Sequence, residues 1–169
     1  LSDKRIEKIV NSYSQNKELR NIVSFLSPFG ITLNKAVKIR EKFGDKTLGI
    51  LNETPFELCE ISGFGFKTVD NIARKVKCKP NDKMRIKAAA KYALQESGTE
   101  GHVYMEQQEL RNKCFEMLNE DFDKTVVTAD EIREGIIESI RMNEIVNNNG
   151  HLYHPYMFKA EVNLAKLIT

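Results

Sequence analysis

The chain has 169 residues, which suits one domain or two small ones, and its 41% hydrophobic content can fill a packed core. Its 26 Lys and Arg against 24 Asp and Glu leave a net charge of only +2, excluding a uniformly basic nucleic-acid-coating protein. The charge is nevertheless polarised: residues 1–91 carry 19 basic against 10 acidic side chains (+9), and residues 92–169 carry 7 against 14 (−7), so two surfaces with different partners are expected.

From the N-terminus, Leu1-Ser2-Asp3-Lys4-Arg5 is polar and lacks an initiator Met, which reads as an excised fragment or a processed product. Apolar residues then recur at helical spacing. The sets are Ile6, Ile9 and Val10; Ile22, Val23 and Leu26; Leu33, Ala36, Val37 and Ile39; and Val69, Ile72, Ala73 and Val76. Pro28 and Gly30 interrupt one pair, Gly44 ends the third helix, and Pro55 and Gly63-Phe64-Gly65 separate the last two. Leu48–Leu51 and Pro55–Leu58 suit short intervening helices. Strand alternation is absent and the connections are short, so helical hairpins are predicted.

A repeat runs through these helices. Gly63-Phe64-Gly65-Phe66-Lys67-Thr68-Val69, shifted back by 33, aligns with Gly30-Ile31-Thr32-Leu33-Asn34-Lys35-Ala36, with an apolar site following at Ile72 or Ile39. A third copy, truncated at its start, fits Leu1 to Ile9 and places Lys4 and Arg5 in its first helical turn. The two glycines of the last copy predict positive φ and close approach of a foreign backbone. Phe64 between them is expected to brace the turn from inside. The amides at the following helix start lack intrahelical acceptors and suit a phosphate. Lys67 and Thr68 add a charge and a hydroxyl. Such a site grips a nucleic-acid backbone without reading bases. Thr32 and Asn34 replace Gly65 and Lys67 in the middle copy, which predicts weaker phosphate binding there.

Lys77–Lys83 is a polar, Pro-containing connector, so the expected domains are residues 1–79 and 80–169. Beyond it a helix is predicted from Met84 to Glu96, buried through Ile86, Ala89, Ala90, Ala93 and Leu94 and stopped by Gly98 and Gly101. His102–Met105 is a strand candidate. A helix from Glu106 to Leu118 buries Leu110, Cys114 and Met117 or Leu118. Thr128-Ala129-Asp130-Glu131 is a capping box opening a helix with Ile132, Ile136, Ile137 and Ile140. Asn147-Asn148-Asn149-Gly150 between apolar flanks predicts a hairpin. The fold class is therefore mainly α: tandem helix-hairpin-helix repeats followed by a small winged-helix-like α+β module. Asp130, Glu131, Glu134 and Glu138 make the last long helix acidic, so this module is expected to act as a spacer or protein contact rather than a DNA reader.

Cys59, Cys78 and Cys114 are too scattered for a disulfide framework or a zinc site and suit a reducing, cytoplasmic setting. His151 and His154 read as hairpin or surface residues. No apolar stretch approaches the roughly 20 residues that span a bilayer, so no membrane partner is expected. No catalytic constellation is present: Gly63–Thr68 lacks the Gly before Lys that a nucleotide-binding loop needs.

Ile61-Ser62-Gly63-Phe64-Gly65-Phe66-Lys67-Thr68-Val69 resembles the helix-hairpin-helix DNA-binding motif. With Phe25–Gly44, Asn52–Val76, Arg85–Leu94, Gly101–Tyr104 and Tyr156–Leu167, the chain resembles the tandem helix-hairpin-helix region of RecD-like ATP-dependent DNA helicases. These are also known as exodeoxyribonuclease V alpha subunits. The resemblance implies a fragment without the ATPase core, working in DNA repair and recombination. ATP and Mg²⁺, and unwinding with 5′-to-3′ polarity, belong to the parent; no cofactor is expected in this fragment. The DNA-contacting set implied is Gly63, Phe64, Gly65, Phe66, Lys67 and Thr68, with Gly30, Ile31, Thr32, Asn34, Lys35, Lys4 and Arg5. The expected partners are the DNA phosphate backbone, the ATPase core of the same chain, and another protein at the acidic half. The alternatives are a scaffold module without DNA contact and, through Asp70, a DNA-processing enzyme.

Overall fold

A computed structural model describes residues 16–168, and side chains up to residue 166. Contacts cluster into two compact units that meet at Lys77 and Cys78, within the polar connector.

The first unit is helical. Residues 16–26 form α1, and a 3₁₀ turn over Ser27–Phe29 leads through Gly30 into α2, Leu33–Phe43. After Gly44 come α3 (Thr47–Glu53), a 3₁₀ segment (Pro55–Glu60) and α4 (Phe66–Lys75). Both short helices expected from the sequence are present. Each helix turns one stripe inward: Ile22, Leu26, Ala36, Ile39, Leu51, Leu58, Val69 and Ile72 are all fully buried. Phe66 stacks on Phe56 with ring centroids 6.1 Å apart, closing the second hairpin. An Arg40–Glu18 ion pair at 3.1 Å ties α2 to α1.

The second unit is built on α5, Lys83–Thr99, which Asp82 caps by accepting the Met84 amide at 2.8 Å. Ala89, Ala90 and Ala93 are buried, so α6 (Gln107–Asn119) and α7 (Ala129–Arg141) can pack closely on it. A Cβ at Gly135 would lie 2.6 Å from Ile86, which explains a glycine inside α7. Arg85 is buried, and its guanidinium donates to the carbonyls of Pro80 at 2.7 Å and Leu118 at 3.0 Å. The Leu118 carbonyl belongs to the negative end of α6, where a cation is favoured. The capping box at Thr128 and Glu131 forms as expected. Helix α8 spans Pro155–Ile168.

The sheet is small and antiparallel, in the order β1 (Met105–Glu106), β3 (His151–Tyr153), β2 (Val146–Asn148). Asn149 and Gly150 both take positive φ, 54° and 92°, the signature of a two-residue hairpin turn that matches strand twist. The order helix, strand, helix, helix, hairpin is the one the sequence suggested, on a mainly α fold, and α8 follows it.

Three details differ from expectation. Gly98 does not stop α5; it lies inside the helix, where a Cβ would meet Met157 of α8 at 2.5 Å. It is a packing glycine, and the chain leaves the helix at Glu100 and Gly101. The first strand begins at Met105 rather than His102, because Met105 and Glu106 are the residues that register with Leu152 and His151. Ile137 is 41% exposed rather than in the core, while Ile132 and Ile136 are buried.

Candidate nucleic-acid interface

The two hairpin turns can be compared residue by residue at the spacing of 33. Gly30 and Gly63 both take positive φ, 68° and 92°. Ile31 and Phe64 both point inward, 5% and 4% exposed. Thr32 and Gly65 both cap the helix that follows, with φ/ψ of −74°/161° and −76°/157°. Ala36 and Val69 then donate to their carbonyls at 3.0 and 3.2 Å. The sequence repeat is thus a repeat of backbone conformation. Gly65 departs from expectation: it is extended, as helix caps are, and only Gly63 uses the left-handed region.

The turns close differently. In the first, the Gly30 amide donates to the Ser27 carbonyl at 3.0 Å. In the second, the closing bond moves one residue along, and the Phe64 amide donates to the Ile61 carbonyl at 3.1 Å. The Phe64 amide is therefore occupied and is not available to a ligand. Among the described residues, the amides of Gly63, Gly65 and Thr68 have no acceptor. They sit at the start of α4, where the helix dipole favours an anion.

Side chains fall into two groups. Phe64, Phe66 and Ile31 are buried, so they shape the turns and their outward role is limited to the main chain. Gly63 and Lys67 are exposed, and Thr68 is half-buried. Lys67 has interactions within the chain and also carries charge into the first turn of α4. Thr32 and Asn34 are exposed in the first hairpin. Lys35 was not expected in its observed place: its ammonium reaches over to the second hairpin. It donates to the Gly63 carbonyl at 2.9 Å and lies 5.4 Å from the centre of the Phe64 ring. One hairpin thereby supplies a cation that holds the turn of the next. Sequence spacing gave no sign of it, because the bond spans 28 positions. Lys4, Arg5 and the truncated third copy lie outside the described residues.

Groups considered for chemistry are otherwise engaged. Asp70 is buried and pairs with Arg74 at 3.0 Å, so it is not an open carboxylate. His151 contacts Glu106 at 3.0 Å and stacks on Tyr104, while His154 accepts the Tyr156 amide at the start of α8. Burial keeps His154 below the usual histidine range, which suits an imidazole acting as acceptor. Cys114 is fully buried, and burial pushes its thiol up to about 12. No cluster of three metal-ligating side chains occurs among the described residues. No described helix is long and apolar enough to cross a membrane.

Paired helices joined by glycine turns, repeated in tandem, define a helix-hairpin-helix protein. Residues 15–104 match the family described as the ATP-dependent RecD2 DNA helicase helix-hairpin-helix domain, and the chain belongs to that family. It is similar to the ATP-dependent RecD2 DNA helicase of Deinococcus radiodurans, 29% identical over 182 aligned positions. That alignment covers 99% of this chain and 24% of the helicase, so the chain spans about a quarter of its relative's length.

Proposed function

We propose that this chain is a non-sequence-specific DNA-binding region of a RecD2-type helicase, with the Gly63 turn as its main phosphate site. The observation that carries the reading is the set of unpaired amides of Gly63, Gly65 and Thr68 at the start of α4. Lys67 and the Lys35 ammonium supply positive charge beside them. The Gly30 turn, whose glycine amide is occupied, contributes less. The ATP-dependent motor, with its ATP and Mg²⁺, belongs to the rest of the parent chain. The hairpins position the DNA for that motor, and this region carries out no chemistry itself.

Thr32 shows that a β-branched residue fits the cap position at the same φ/ψ, so Gly65→Thr tests the site without straining the turn. Fluorescence anisotropy on mixed-sequence DNA should show log K falling with log salt at a slope of roughly −2 to −4 for wild type. Gly65→Thr should weaken binding several-fold, whereas Glu138→Gln should not. Absence of wild-type binding at low salt, or equal behaviour of the two variants, contradicts the assignment.

A further inference from the structure

We propose that α7 and its neighbours form a docking groove for an acidic peptide segment that carries apolar side chains. The groove, about 350 Å³, is bounded by α6, α7 and β2. Arg111, Arg133 and Arg141 ring it, and Ile136, Ile137 and Ile140 lie between them. Helical spacing places residues 133, 137, 140 and 141 on one face of α7, separate from the stripe that Ile132 buries against the core. Ile137, left 41% exposed, joins Ile136 and Ile140 in one apolar strip between the arginines.

Charge selects the occupant. Arg133 is half-exposed and meets only its own-helix neighbour Asp130, at 3.2 Å. Arg111 donates to Gln107 at 3.3 Å. The Arg141 side chain has no hydrogen bond or ion pair among the described residues. Guanidinium groups with unused donors suit carboxylates, which they can grip with two parallel bonds. The isoleucines require apolar side chains between those carboxylates.

DNA fits less well. Helix α7 is 13 residues long, ~20 Å at 1.5 Å per residue, and also carries Asp130, Glu131, Glu134 and Glu138. Glu131 and Glu138 turn away from the groove, to Asn81 at 2.9 Å and Lys83 at 3.7 Å. A duplex laid along the helix brings phosphates beside this acidic edge. The lining of the groove holds no carboxylate: beside the arginines and isoleucines it has only Gln107 and Asn147.

The test uses the whole 169-residue chain and a short fluorescent peptide of alternating aspartate and leucine pairs. The controls are a peptide of aspartate alone and a mixed-sequence duplex. The mixed peptide should bind saturably and the aspartate peptide at least several-fold more weakly. Arg141→Glu should weaken the mixed peptide about tenfold. Ile137→Ser should weaken it several-fold and abolish its advantage over the aspartate peptide. Both residues are exposed, so melting temperatures should be unchanged. Gly65→Thr should leave peptide binding intact, which keeps this result separate from that of the hairpin. Equal binding of the two peptides, or indifference to both groove variants, overturns the proposal. So does an Arg141→Glu defect confined to the duplex, which assigns the face to nucleic acid.

Discussion

The Gly30 and Gly63 turns have nearly the same backbone but offer different hydrogen-bond donors. In the first, the glycine amide is used to close the turn; in the second, the next residue closes it and the glycine amide is left open. A one-residue shift in a single hydrogen bond therefore separates a turn with a closed glycine amide from one whose glycine amide is open. Lys35 links them by carrying the first hairpin's charge to the second hairpin's Gly63 carbonyl.

Six substitutions break or sharpen this contrast. Phe64→Ala should have the largest effect, lowering stability by about 3–5 kcal/mol, because it empties the space beneath the turn. Ile31→Ala should cost somewhat less, and thermal melting of both variants compares the two braces. A negligible loss at Phe64 would mean the second turn does not depend on its interior. Next, valine at Gly63 or Gly30 forces a β-branched residue into positive φ, costing at least ~1–2 kcal/mol in either case. Only Gly63→Val should also abolish DNA binding at a temperature where both variants are folded; equal binding losses would erase the distinction.

The reciprocal change Thr32→Gly gives the first turn the cap residue of the second and should raise DNA affinity by about twofold. An unchanged affinity would show that the occupied Gly30 amide, not the cap side chain, limits that turn. Lys35→Ala should be mildest, about 1 kcal/mol or less in stability, since the bond it removes is exposed. DNA affinity should still drop roughly threefold, about 0.65 kcal/mol, because the cation beside Gly63 is gone.

The glycines and the spacing of 33 made both hairpins legible in sequence, since positive φ and inward apolar positions constrain residue type strongly. Which amide closes each turn was not legible, because a main-chain hydrogen bond leaves no mark on the side chain. Gly65 was misread for a related reason: a glycine at an extended helix cap looks the same in sequence as one kept for its φ. In the second unit, the capping box and the Asn149-Gly150 turn were legible because their chemistry is local. Gly98 and Ile137 were not, as each depends on what stands opposite in space: Met157 in one case and an open groove in the other. The acidic character of α7 was clear from composition, but that its carboxylates stay out of the lining of the groove beside Arg133 and Arg141 needed the structure.

The most direct measurement of the central claim is an amide NMR titration of the ¹⁵N-labelled chain with mixed-sequence DNA. The amide signals of Gly63, Gly65 and Thr68 should shift together and saturate, with those of Phe64 and Gly30, already bonded within the chain, moving much less. A Gly30 amide that shifts as far as that of Gly63, or a Gly63 amide that stays in place while DNA binds, would contradict the account.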